Sequence, residues 1–129
     1  ILGADFAYMG TRFISSKESL AKPEYKAMLV DSVAKDIINT AAFTGIPNNM
    51  LRQSIEKAGF DPDNIPSSAK SKLNFDDPHS GAKAWRDIWS AGHGVGEVKE
   101  ILSVKEIVAS LTTQYQETLQ KPIITRRFI

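Results

Sequence analysis

The chain has 129 residues, 42% of them hydrophobic and 24% charged, with 16 basic residues against 15 acidic and no cysteine. That is one domain of ordinary globular composition, and it excludes fibrous and disordered classes, disulfides, thiol nucleophiles and zinc–thiolate sites. No block of one charge sign points to nucleic acid or a membrane surface, no apolar run approaches the roughly 20 residues that span a bilayer, and the lack of cysteine fits a cytoplasmic setting.

Residues 4 to 9 are apolar apart from Asp5 and read as a strand buried on both faces, of the parallel-sheet kind, ended by Gly10. Ser15 with Glu18 three residues on has the pattern of a helix start. Pro23 suits the first position of a helix, and Tyr25, Met28, Leu29, Ser32 and Val33 carry helical spacing over about 23 to 34. From Asp36 to Phe43 the β-favouring Ile-Ile-Asn-Thr predicts a short strand, followed by a turn over 44 to 49. Met50 to Ala58 predicts a short helix stopped by Gly59. Residues 61 to 68 and 76 to 81 read as loops, and residues 69 to 75 carry no clear pattern. A helix over 82 to about 91, with Trp85, Ile88 and Trp89 on one face, runs into the glycine-rich Ala91 to Gly96. Ser103 and Glu106 form a capping box for a last helix whose core face is Val104, Ile107, Val108, Leu111 and Tyr115. The fold class is mainly α with one or two short strands. A lone buried strand needs neighbours that this chain does not supply, so the sequence reads as part of a larger protein.

Two stretches carry candidate chemistry. In Met9-Gly10-Thr11-Arg12, a glycine at a strand end lets backbone N–H groups approach a phosphate and the following Thr adds a hydroxyl; in (β/α)8 barrels such sites lie at the loops after the last strands. An ordinary strand-end turn explains the same residues. In Ser90 to Gly96, three alternate glycines weaken a helix by roughly 1 kcal/mol each relative to Ala, which suits close approach of a flat ligand or simply a flexible loop. His93 within it is a hydrogen-bonding or acid–base group, or a structural one. Helical spacing explains Trp85 and Trp89 as core. His79 beside Asp76 and Asp77 lacks a second spaced ligand, so a solvated loop is preferred over a metal site. Arg126 and Arg127 read as surface.

Together, GADFAYMGTRF, SSKES, NTAAFTGIPNNMLR and KAWRDIWSAGHGVG, in this order over nearly the whole chain, resemble the C-terminal part of nitronate monooxygenases, formerly 2-nitropropane dioxygenases. The resemblance implies an FMN-binding (β/α)8 TIM barrel with a helical C-terminal domain, acting on alkyl nitronates and O2 to yield carbonyl compounds and nitrite. It divides the chain into the last barrel strand and following helix (1–34), a substrate-side helical domain (35–102), and the C-terminal helix and tail (103–129). Met9, Gly10 and Thr11 become phosphate-side FMN contacts, and Ser90, Gly92 and His93 contacts from the second domain. Position 93 is commonly Gln in the family. The proton-abstracting His of the family lies on an earlier strand, so no catalytic residue is assigned here, neither His79 nor His93. A piece of this extent is expected to be inactive alone, and its uncovered apolar surface leaves room for a homo-oligomer. Two other functions stay open: an FMN-dependent enoyl reductase of fatty-acid synthesis on the same barrel, and a stand-alone helical interaction module with Trp85 and Trp89 as anchors.

Overall fold

A computed structural model describes residues 4–66 and 87–121. The expected loops over 67–68 and 76–81, the pattern-free 69–75, the start of the helix at 82, and the tail at 124–129 all lie outside the described residues. So do Trp85, His79 and Arg126. Elements are numbered within the described residues: α1 (Thr11–Ile14), α2 (Pro23–Asp31), β1 (Ile37–Thr40), β2 (Asn48–Leu51), α3 (Arg52–Lys57) and α4 (Val104–Gln120), with 3₁₀ turns at Ala34–Asp36 and His93–Glu97. Helices and two short strands match the expected class.

Local signals set several of these ends. Pro23 opens α2, where its missing N–H needs no partner. Ser32 closes α2, its hydroxyl donating to the Met28 carbonyl at 2.6 Å. Gly59 follows α3 at φ 84°, a left-handed value that favours glycine. Ser103 caps α4: its Oγ accepts from the Glu106 N–H at 3.2 Å, and the Glu106 carboxylate accepts from the Ser103 N–H at 2.7 Å.

β1 and β2 pair antiparallel, from Ile37 opposite Leu51 to Thr40 opposite Asn48. The second strand replaces the expected turn end and helix start at 48 to 51, so α3 begins at Arg52. Ser90 adds a single antiparallel bridge beyond β2, at Met50. Successive strand residues point to opposite faces, and β2 serves two cores in this way. Met50 packs with Phe43, Ile55 and Ile88. Leu51 packs with Leu29, Trp89, Ala91, Val95 and Val98.

Further expectations are corrected. The helix expected to run to about 91 does not, since residues 88–91 are not helical and Ser90 bridges to Met50 instead. Residues 4–9 join no ladder, and Phe6 is 94% exposed. Apolar character alone makes no strand, because a ladder needs a neighbouring backbone, and the described residues offer none there. Ser15 sits at the C-terminal end of the one-turn α1 instead of starting a helix, its hydroxyl donating to the Arg12 carbonyl. Only Ile107 of the expected α4 core face is buried; Val104, Val108 and Tyr115 are exposed.

Candidate functional site

The Gly10 carbonyl accepts from the Phe13 and Ile14 N–H groups at 3.0 and 3.1 Å, folding α1 directly after the Met9–Gly10 segment. Thr11 and Arg12 open this turn, so their N–H groups have no acceptor within it. No side chain caps it.

The glycine segment is delivered to α1 by a hydrogen-bonded, largely buried lead-in. The Leu51 N–H donates to the Trp89 carbonyl at 2.8 Å and the Ala91 N–H to the Asn49 carbonyl at 3.3 Å. The Trp89 N–H donates to the Ser54 hydroxyl at 2.9 Å, and that hydroxyl, fully buried, donates to the Leu51 carbonyl at 2.8 Å. The Trp89 ring, 6% exposed, stacks on Tyr25 with centroids 4.9 Å apart. The Tyr25 hydroxyl donates to the Ser90 carbonyl. Burial pushes the Tyr25 phenol above its ordinary range. Trp89 is therefore core, not a surface anchor.

Beyond this lead-in the two stretches singled out in the sequence meet. The Gly92 N–H donates to Thr11 Oγ1 at 2.9 Å. Arg12 Nη1 donates to the Glu97 carbonyl at 2.6 Å. A hydroxyl has one proton and two acceptor positions, so Thr11 holds Gly92 and keeps its own proton for a further acceptor.

A cavity of about 560 Å³ lies at this junction, within the roughly 300–1,000 Å³ of small-molecule sites. Of the six residues singled out, Met9, Gly10, Thr11 and Gly92 line it. Ser90 and His93 do not. The Ser90 carbonyl is engaged by Tyr25, and the His93 side chain is exposed at the start of the 3₁₀ turn. Gly94 and Arg12 line the cavity as well, and both lay inside motifs already marked. Leu111 and Gln114 of α4 supply another wall. The sequence marked Leu111 only as part of a helix core face and Gln114 not at all, since only the tertiary placement of α4 brings them there.

The glycines here are not demanded by the protein itself. Gly10 sits at φ −100° and Gly92 at φ −79°, values open to any residue. A Cβ at Gly10 or Gly94 would meet nothing within 4 Å, and one at Gly92 only Thr11 Oγ1 at 3.6 Å. The space such a Cβ would fill at Gly10 and Gly94 is available to a bound molecule. Backbone N–H groups of Thr11 and Arg12, the Thr11 hydroxyl and the flanking glycines suit a phosphate with a flat group beyond it. The described residues hold no group of three His, Asp or Glu fit for a metal ion, and none of their helices is long and apolar enough to cross a membrane.

Among solved structures the chain is similar to FabK from Thermotoga maritima, at 29% sequence identity and a TM-score of 0.58, over 86% of this chain and 37% of that one. A FabK point mutant from the same organism aligns at 22% identity and a TM-score of 0.55, over 86% of this chain and 34% of that one, a likeness of fold alone. The chain thus spans little more than a third of the FabK structures it matches. No curated protein matches it. The profile of the nitronate monooxygenase family matches residues 1–114. The chain belongs to the nitronate monooxygenase family.

Proposed function

We propose that this chain is the C-terminal part of an FMN-dependent nitronate monooxygenase, which oxidises alkyl nitronates with O2 to carbonyl compounds and nitrite. The observation that carries the reading is the cavity between Gly10–Thr11 and Gly92–Gly94, where glycines stand that neither φ nor packing requires. In this reading residues 1–34 bring the last strand of a (β/α)8 barrel and its helix. Residues 4–9 would complete their ladder against a neighbouring strand of the barrel. Residues 35–102 form the substrate-side domain, and 103–129 the closing helix and tail.

Thr11 and the backbone of Gly10 and Thr11 would hold the FMN phosphate, with Met9 beside it. Gly92, and Ser90 and His93 around it, would approach from the second domain. FMN, when bound, supplies the redox chemistry. The residues of this chain bind and orient it: Thr11 ties Gly92 to the phosphate side, and Tyr25 and Ser54 keep the lead-in to Gly92 fixed. On the family resemblance the proton-abstracting His belongs to an earlier barrel strand, so turnover would require the rest of the parent enzyme.

A second reading, the FMN-dependent enoyl reductase, is favoured by the likeness to FabK. Anaerobic mixing of the full-length protein separates the two. Bleaching of the flavin absorbance by an alkyl nitronate, with NAD(P)H inert, supports the monooxygenase. Rapid bleaching by NAD(P)H alone supports the reductase. A purified full-length protein that neither carries nor takes up flavin would refute both.

A further inference from the structure

Lys26 is 8% exposed, on the inner face of α2. Its ammonium group points at backbone carbonyls alone: Ser16 at 2.6 Å, Ser19 at 2.8 Å and Lys17 at 3.4 Å. None of the ion pairs found among the described residues involves it. A buried cation without a carboxylate is expensive unless its donors are satisfied, and an ammonium has three donors, one for each of these carbonyls. Lys26 is thus a tethered cation that closes the loop following α1 around itself.

That loop joins two walls of the cavity. At one end is α1, with Thr11. At its crown, the Lys17 N–H donates to the Leu102 carbonyl at 2.8 Å, and the Glu18 carboxylate accepts from the Val104 N–H at 2.9 Å. Those two bonds seat the first turn of α4, which carries Leu111 and Gln114 into the cavity wall. Lys26 touches no residue that lines the cavity through the bonds described, yet it fixes the loop between Thr11 and α4.

We propose that Lys26 is a positioning residue for the cofactor site, acting as a built-in monovalent cation whose carbonyl cage sets the spacing between Thr11 and α4. The proposal rests on the reading of this cavity as the FMN site. It makes a specific demand: a small free cation should replace the ammonium once the side chain is removed.

The test is Lys26→Ala in the full-length protein, compared with wild type in ammonium chloride and in choline chloride at equal ionic strength. FMN affinity is read from flavin fluorescence, and thermal unfolding is followed in the FMN-free protein. In choline, Lys26→Ala should bind FMN at least about tenfold more weakly, the order expected for losing charge-assisted hydrogen bonds. Ammonium should restore both affinity and melting temperature saturably in the variant, and leave wild type unchanged. Should the variant not fold in choline, folding that returns in ammonium supports the cage. Wild-type affinity in Lys26→Ala, or a loss or misfolding indifferent to ammonium, overturns the proposal. Rescue of melting temperature without any FMN binding by wild type would retain the cage and discard the cofactor assignment.

Discussion

Gly10 offers a perturbation whose effects on folding and on binding separate. Its φ of −100° and ψ of −58° suit any L-residue, and a Cβ there meets nothing within 4 Å. Replacing it by Ala removes some freedom from the unfolded chain, a gain of about 0.4–1 kcal/mol. It also loses the modest preference for Gly over Ala before a helix. The two offset, so Gly10→Ala should leave stability within roughly 0.5 kcal/mol, as for an ordinary surface change. Gly10→Val places two methyl groups in the cavity that Gly10 lines. If a phosphate sits against the Gly10 backbone, those methyls hold it off, and FMN affinity should fall about tenfold or more, equivalent to about 1.4 kcal/mol. Titration of the full-length apoprotein with FMN, followed by fluorescence, measures the affinity; denaturant unfolding of the same samples measures the stability. Near-wild-type stability with weakened FMN binding is the expected result. Unchanged affinity in Gly10→Val refutes the phosphate assignment, since nothing among the described residues lies within 4 Å of a Cβ there.

Ser54→Ala should destabilise the protein by about 1–3 kcal/mol in denaturant unfolding, because it leaves the buried Trp89 N–H without its acceptor; a loss below a few tenths would show that the Trp89 backbone finds another partner. Glu106 is held down to about 2, from 4.5, first by the Ser103 hydroxyl, then the Ser103 N–H and Lys17. A depressed carboxyl stabilises the fold above its unfolded pKa and loses that contribution as pH falls through its folded one. Stability should therefore decline between pH 4.5 and about 2, and Glu106→Gln should flatten that decline in acid titrations followed by circular dichroism. His93→Gln should leave FMN affinity and turnover near wild type, as Gln keeps a hydrogen-bonding side chain at this exposed position; a large loss of turnover would show that its ring or charge is needed.

What the sequence discloses about this chain, and what it hides, divides along one physical line. Pro23 at the first position of α2, Ser103 with Glu106 at the start of α4 and Gly59 after α3 are interactions within a turn of their own position, and each stands where the pattern put it. The Gly-Thr step and the alternate glycines were visible as local patterns too, though an ordinary turn and a flexible loop explained them equally well in sequence. Asn48–Leu51 was unreadable as a strand because Asn has little β preference of its own; β1 on one side and Ser90 on the other make the strand. Residues 4–9 are the converse, an apolar run with no backbone beside it among the described residues to complete a ladder. Glu18 shows the same division in a single side chain. Its spacing from Ser15 suggested a local capping box, but its carboxylate caps Val104, 86 residues away. Lys26, in sequence, is indistinguishable from a solvated helix charge; three carbonyls of a separate loop make it a buried clasp. The site inherits this division. Its glycines and threonine are local signals, while the contacts that hold them at working distance, Thr11 to Gly92, Tyr25 to Ser90 and Glu18 to Val104, are all non-local. Substitutions at Tyr25 and Glu18 should therefore change the shape of the cavity without altering any residue that lines it, whereas those at Thr11 and Gly92 alter the lining itself.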